Sequence, residues 1–152
     1  MPAQKLKEFL EKNNIKYESI EHPITYSANM TAHVSHVSGK KFAKTVIIKV
    51  DGDFKMVVVP ASQMVRCGHL KKLLSAKKVE IASENEFVKL FPDCEPGAMP
   101  PFGNLYGLEE YVSDQLSGDI QIAFNAGTHT ELMQMKYSDF ERLVHPRKIN
   151  LD

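Results

Sequence analysis

The sequence predicts a single α/β domain, and three observations lead to that class. The chain has 152 residues, 43% hydrophobic and 25% charged, which is ordinary globular composition and enough for one core. Two apolar runs, residues 45–50 and 54–59, flank Asp51-Gly52-Asp53 in the pattern of a β-hairpin. Helical patterns stand near both ends of the chain, at Leu6, Phe9 and Leu10 and again over residues 137–144. One domain over residues 1–152 follows, without internal repeats or low-complexity segments.

The elements follow in order. Leu6, Phe9 and Leu10 have the i, i+3, i+4 spacing of an amphipathic helix that ends near Asn13-Asn14. Residues 15–20 read as a short strand before the His22-Pro23 break, and residues 25–37 as a loop with a short helix that Gly39 stops. The hairpin's apolar runs are continuous rather than alternating, which predicts strands covered on both faces. Beyond Pro60, Leu70, Leu73 and Leu74 form a helical stripe, and residues 79–82 read as a short strand. Ser83 with Glu86 forms a capping box that places Phe87, Leu90 and Phe91 on a buried face. Residues 92–107 hold four prolines and three glycines, which predicts a long irregular loop with a functional task. Tyr111-Val112 and residues 120–124 read as strands, Asn125-Ala126-Gly127 as a turn, and Leu132, Met133 and Met135 as part of a closing strand. His145-Pro146 ends the last helix.

Nineteen basic residues balance nineteen acidic ones, so composition predicts no global field toward nucleic acid or an anionic membrane, and any RNA contact has to be local. Three basic doublets, Lys40-Lys41, Lys71-Lys72 and Lys77-Lys78, read either as solvated faces or as points along an RNA backbone. Cys67 and Cys94 have neither CxxC spacing nor a Cys/His cluster around them, which predicts free thiols in a reducing compartment and no zinc site. No run approaches the ~18 apolar residues of a membrane span, and the amino-terminal stretch lacks a secretory core. A soluble, cytoplasmic protein is the expectation.

Three places carry candidate chemistry. Lys44 stands just before an apolar strand, as a solvated lysine or as an ammonium held at a sheet edge to bind phosphate or polarise an ester carbonyl. Gly97-Ala98-Met99-Pro100-Pro101-Phe102-Gly103 is a rigid stretch that either crosses the surface or aims backbone groups at a ligand. Gly127-Thr128-His129 sets a histidine beyond a strand, as an ordinary satisfied histidine or as a hydrogen-bonding group or general base. His22, His33, His36, His69 and His145 form no pair of metal-ligand spacing joined to a carboxylate. A GxSxG elbow is absent, as are phosphate loops of the GxxxxGK(S/T) and GxGxxG forms.

Five segments in order carry a resemblance: His22-Pro23, Ala43-Lys44-Thr45-Val46, Val59-Pro60-Ala61, Leu90-Phe91-Pro92-Asp93-Cys94-Glu95-Pro96-Gly97 running into Pro100-Pro101-Phe102-Gly103, and Ala126-Gly127-Thr128-His129. Together they resemble the YbaK/EbsC family of aminoacyl-tRNA deacylases, which includes the editing domain inserted in bacterial prolyl-tRNA synthetases. The resemblance runs over nearly the whole chain. It implies a mixed, barrel-like β-sheet surrounded by helices, and a trans-editing hydrolase that removes a wrong amino acid from the 3′-terminal adenosine of tRNA. It implies Lys44 as the essential lysine, Gly97 and Pro101 as the ends of a GxxxP loop at the catalytic centre, and Met99 and Pro100 beside the substrate. His129 matches a histidine that shapes the amino-acid pocket, with Asn125, Gly127 and Tyr26 as further pocket residues. No metal or organic cofactor is implied. The implied partners are the acceptor end of mischarged tRNA and prolyl-tRNA synthetase, with neither membrane nor DNA.

An aminoacyl ester is already activated, and a neighbouring ribose hydroxyl can assist the attacking water, so positioning suffices without a protein nucleophile. Lys44 is then an anchor and an electrostatic stabiliser. Arg66 and Ser113 stand where the resemblance leads to acidic residues, with Asp114 nearby. Two readings of other classes stand beside the enzyme: a catalytically silent module that binds mischarged tRNA, and an adaptor docked on a synthetase. Retention of Lys44 with a complete GxxxP loop favours the enzyme. Alanine, serine, threonine and cysteine all remain open as the amino acid removed.

Overall fold

Asp51-Gly52 sets the register from which the sheet is built. Both residues have left-handed backbone, at φ 50° and 90°, the geometry of a two-residue hairpin turn whose twist matches its strands. The strands it joins, β2 (Phe42–Val50) and β3 (Asp53–Pro60), pair antiparallel from Val50↔Asp53 to Ala43↔Pro60. The computed structural model describes residues 4–25, 27–34, 38–118 and 120–151. Among them the remaining strands are β1 (Tyr17–Glu21), β4 (Val79–Ile81), β5 (Glu109–Ser113), β6 (Gln121–Thr128), β7 (Glu131–Lys136) and β8 (Arg147–Ile149). The helices are α1 (Gln4–Lys12), α2 (Ala28–Val34), α3 (Cys67–Leu73), α4 (Glu84–Phe87) and α5 (Tyr137–Val144).

The sheet is mixed, with the order β1-β7-β6-β2-β3-β5-β8 and β4 paired to β2. Its parallel pairs are β2 with β6, β3 with β5, and β5 with β8. Alternation along β2 sends Ala43 and Ile47 into one core and Phe42, Ile48 and Val50 toward the other side. Both faces are covered, as the continuous apolar runs predict. On the first, Leu6 and Leu10 of α1, Phe87 of α4, Phe140 of α5 and the loop residues Met99 and Phe102 pack on Met56, Val58 and Phe124. On the second, Leu70 of α3 covers Ile48, Val57 and Val59, while Ala32 of α2 sits with Phe42, Ala61 and Ala123.

Several elements differ from expectation. Asn125-Ala126-Gly127 is not a turn but the end of β6, because Asn125 still pairs with Leu132; a register shift follows before Thr128↔Glu131, and the chain reverses at His129-Thr130. Leu73 is 39% exposed, since α3 ends there and only Leu70 reaches the core fully. The capping box at Ser83 is present, yet α4 lasts four residues before a 3-10 turn (Val88–Leu90) takes over. A second 3-10 turn (Gly103–Tyr106) lies within the stretch expected to be irregular. Three-residue β8 is too short for any periodicity to announce it. No helix of the described residues is long and apolar enough to cross a membrane.

Phe102 anchors the proline-rich loop to the first core. It is fully buried, with ring centroids 5.5 Å from Phe124 and 5.7 Å from Phe140. Phe102→Ala is expected to cost about 3–5 kcal/mol through lost burial and the cavity left behind. Urea unfolding measures it as a lower midpoint at unchanged slope; a loss below about 1 kcal/mol would mean that the loop is not fastened by this ring.

Candidate active site

Two groups of candidate residues meet on β6. Near its start the strand pairs in parallel with β2 over Phe42↔Ala123 and Ala43↔Phe124. One residue further, alternation puts Lys44 of β2 and Asn125 of β6 on the same sheet face, the face of Phe42 and Ala123. Lys44 is half-buried, and loss of solvent lowers its ammonium pKa from the ordinary 10.5. Among the described residues it has no hydrogen-bond or ion-pair partner. Asn125 Oδ1 is buried and likewise lacks a partner among the described residues. A cation and an acceptor withdrawn from water without compensation are costly, and a bound polar ligand would offset that cost.

Beyond the irregularity in β6, the proline-rich loop is pinned to the strand's end. Glu95 N–H donates to Gly127 O at 2.7 Å, and Gly127 N–H donates to Ala98 O at 2.9 Å. Glu95 Oε1 accepts the His129 N–H at 3.2 Å, and His129 Nε2 donates to Pro96 O at 2.8 Å. Gly97 has φ +84°, and an added Cβ would lie 3.5 Å from His129 Cε1. That is ordinary contact, so the left-handed backbone rather than crowding demands glycine here. Gly97 N–H points to Met99 Sδ at 3.2 Å, while Met99 itself is 4% exposed. Pro100 and Pro101 are buried, and Phe102 N–H donates to Pro100 O at 2.8 Å.

The structure thus brings Gly97 beside His129, ties Gly127 to the loop through Glu95 and Ala98, and sets Lys44 and Asn125 on one face of neighbouring strands. Asn125 precedes Gly127 by two residues, about 7 Å along the strand. Met99, Pro100 and Pro101 form a buried backing to the loop. Tyr26 lies outside the described residues. Ser113 is fully buried, donating from Oγ to Gln63 Oε1 at 2.7 Å, and Arg66 is exposed at the entry to α3. Cys94 is held as a thiol: burial pushes its pKa up to about 12, with Tyr106 Oη at 3.4 Å and Asp93 Oδ1 at 3.5 Å. Among the described residues no cluster of three or more His, Cys, Asp or Glu side chains could hold a metal ion. At the opposite end of β6 an open cleft of about 730 Å³ is lined by residues that include Ser117, Lys136, Tyr137 and His145, none of them a candidate above.

One residue of the site's support escapes sequence reasoning. Glu110 is 5% exposed on β5, and its Oε1 accepts the Gly103 N–H at 2.6 Å, where the proline-rich loop ends. A Cβ at Gly103 would come within 3.0 Å of that oxygen and of Leu108 O, so only glycine lets the carboxyl this close. Oε2 is buried without a partner. Burial holds the carboxyl pKa well above 4.5, opposed only in part by the Gly103 hydrogen bond, so the fold favours the protonated form. In the sequence Glu109-Glu110 looks like a pair of surface charges; only burial separates them.

The chain matches the aminoacyl-tRNA editing domain family over residues 22–143 and belongs to that family. It is an editing hydrolase, acting on the ester of a mischarged aminoacyl-tRNA. A relative from Escherichia coli (strain K12), the multifunctional Ser/Thr-tRNA deacylase ProXp-y, is 24% identical over 153 residues, covering 97% of this chain and 90% of the relative. A solved structure described as a candidate trans-editing enzyme for prolyl tRNA synthetase superposes with a TM-score of 0.83 at 19% identity, over 99% of this chain and 96% of that one. A scaffold protein used for computational epitope grafting gives a TM-score of 0.84 at 16% identity, over 99% and 96%. At such identities the two structures establish the shared fold.

Glu110 makes stability depend on pH. Its folded pKa lies above the ordinary 4.5, so the native state holds a proton that the unfolded chain releases, and stability falls as pH rises from that value toward the folded pKa. Glu110→Gln keeps an acceptor for Gly103 and removes the linkage. The difference in unfolding free energy between variant and parent should grow in the variant's favour above pH 4.5, with a slope of up to about 1.4 kcal/mol per pH unit. A difference that stays flat from pH 4 to 8 in urea titrations would contradict the favoured protonated form.

Proposed function

We propose that Lys44, Asn125 and the 97–101 loop with His129 form the site at which the ester is hydrolysed, and that residues 1–152 work as one editing domain. The observation that carries this reading is the half-buried ammonium of Lys44, without a partner among the described residues and held on β2 beside the strand that pins the loop. Water adds to the ester carbonyl carbon, and the carbonyl electron pair moves to its oxygen. Lys44 anchors the substrate and stabilises that developing negative charge, a term worth most in a partly dehydrated site. The intermediate collapses by expelling the ribose oxygen, which takes up a proton, and releases free amino acid and tRNA. The neighbouring ribose hydroxyl assists the water, so no protein nucleophile is needed, in keeping with Cys94 held as a thiol.

Asn125 Oδ1 accepts from the α-ammonium of the amino acid, a donor that its buried and unmatched state invites. His129 serves the pocket's shape rather than proton transfer through Nε2, because that nitrogen is engaged with Pro96 O. The amino acid removed is drawn from the small class of alanine, serine, threonine and cysteine, with support from the relative named for Ser/Thr-tRNA. Association with prolyl-tRNA synthetase is the matching partner reading, supported by the fold neighbour described in those terms and tested by a size measurement with and without that synthetase.

Lys44→Ala should lower deacylation of a panel of mischarged tRNAs about 10²- to 10³-fold, the usual cost of a lost electrostatic stabiliser. Its circular dichroism should match the parent, since the side chain makes no hydrogen bond or ion pair among the described residues. A folded variant with parental turnover sinks the assignment. Gly97→Ala forces a left-handed alanine at about 1–3 kcal/mol, and relief of that strain would displace the loop. At least a tenfold fall in turnover is expected in the same assay, and unchanged turnover would show that the loop's backbone does not touch the reaction.

A further inference from the structure

Zero net charge conceals a strong segregation. Residues 22–79 hold ten lysines and arginines against two acidic residues, and the rest of the chain holds nine against seventeen. The basic segment contributes α2, β2, β3 and α3, and α2 and α3 lie on the sheet face that carries Lys44. Its two acids, Asp51 and Asp53, sit at the hairpin turn. Asp51 Oδ1 is occupied by the backbone N–H groups of Lys77 at 2.9 Å and Lys78 at 2.8 Å, which fixes the loop after α3 with both lysine side chains in solvent.

The cations divide into two kinds. Lys49 and Lys55 are neutralised, each 2.5 Å from a carboxylate of Glu86 and Glu109. Arg66, Lys71, Lys72 and Lys77 are exposed and have no ion-pair partner among the described residues, and Lys78 reaches only Glu80 at 3.8 Å. All five lie on or beside α3. The helix's contribution to the core comes from Leu70, so packing does not require its outer charges. Like charges gathered without counterions repel one another, and a polyanionic partner relieves that repulsion. An open cleft of about 430 Å³ beside Arg66, lined by Ser62, Gln63, Met64, Gln115 and Leu151, adds hydroxyl and amide groups and, among the described residues, no carboxylate.

We propose that the outer surface of α3 and the loop after it, presenting Arg66, Lys71, Lys72, Lys77 and Lys78, docks the phosphate backbone of the tRNA acceptor arm. The proposal rests on Lys44 as the ester site and adds where the rest of the RNA lies. Lys44 is six residues from Val50, the β2 residue beside the turn that holds Lys77 and Lys78, so the ester and the Lys77–Lys78 end of the ledge are separated by roughly 20 Å of strand, while Arg66 follows the end of β3 that pairs beside Lys44. The unpaired 3′ tail spans that gap, and the ledge receives the phosphates of the first stacked pairs. Lys40 and Lys41, exposed at the other end of β2, are separated from Lys77 and Lys78 by the whole strand.

The test compares the parent with the variant Lys71→Ala/Lys72→Ala/Lys77→Ala/Lys78→Ala on two substrates carrying the same amino acid: mischarged full-length tRNA, and a three-nucleotide CCA ester. On tRNA the variant's KM should rise at least tenfold with kcat unchanged, and the slope of log(kcat/KM) against log salt should become shallower by about 3. On the trinucleotide both proteins should perform alike. A variant with parental KM and salt slope on tRNA overturns the proposal, and so does an equal KM rise in Lys7→Ala/Lys12→Ala, two exposed lysines of α1. If the parent hydrolyses neither ester, the Lys44 reading fails alone. Titration with uncharged tRNA then decides the docking surface, a tenfold weaker Kd in the four-lysine variant supporting it and an equal Kd overturning it.

Discussion

The pair of backbone hydrogen bonds between Gly127 and the 95–98 segment is the constraint on which the site depends. A stretch with prolines at 92, 96, 100 and 101 cannot join a sheet along its length, since each proline lacks the donor a ladder needs. Two bonds are what such a loop can offer, and β6 meets them where its pairing with β7 becomes irregular. The irregularity frees Gly127 to bond sideways rather than continue the ladder, and its φ of 96° is backbone that glycine alone adopts at little cost. His129 then reaches back to Pro96, so the loop is held from both sides of the reversal. At its far end Phe102 enters the aromatic core, and Glu110 clasps Gly103.

Around that frame the charges sort by environment. Lys44 is a partly dehydrated ammonium at the proposed ester site, and at Glu110, more deeply buried, the fold favours the protonated form of the clasp on Gly103. The same physics acts on both groups, since burial disfavours the charged form, and the depth of burial decides whether the charge survives. Farther out, solvent screens each lysine of α3 and the loop after it, and their number is what suits the face to the polyanion proposed for it. The proposed ester site and the proposed phosphate ledge share this sheet face.

Much of this was legible in the sequence, for identifiable reasons. The hairpin was, because Asp51-Gly52 between β-branched runs leaves few alternatives; so were α1 and α5, whose apolar spacing and stop signals agree. Lys44 and the loop could be singled out as chemistry-bearing, but only the five ordered segments of the family resemblance named an ester. The end of β6 was misread as a turn because Asn-Ala-Gly has turn composition, while pairing to Leu132 is a tertiary contact that no local pattern reveals. Glu110 was invisible for the same reason, since exposed and buried glutamates look alike until the strand has neighbours. The charge segregation was in plain view, but the balanced total hid it.

The claim that Lys44, Asn125 and the pinned loop form one ester-binding site is tested most directly by titrating the ¹⁵N-labelled protein with a non-hydrolysable 3′-amide analogue of aminoacyl-adenosine. The account predicts that backbone shifts concentrate at Lys44, Gly97, Asn125, Gly127 and His129, and that Lys44→Ala weakens the analogue's binding. Shifts confined to the cleft around Ser117, Lys136 and His145, with those five amides unmoved, would contradict it.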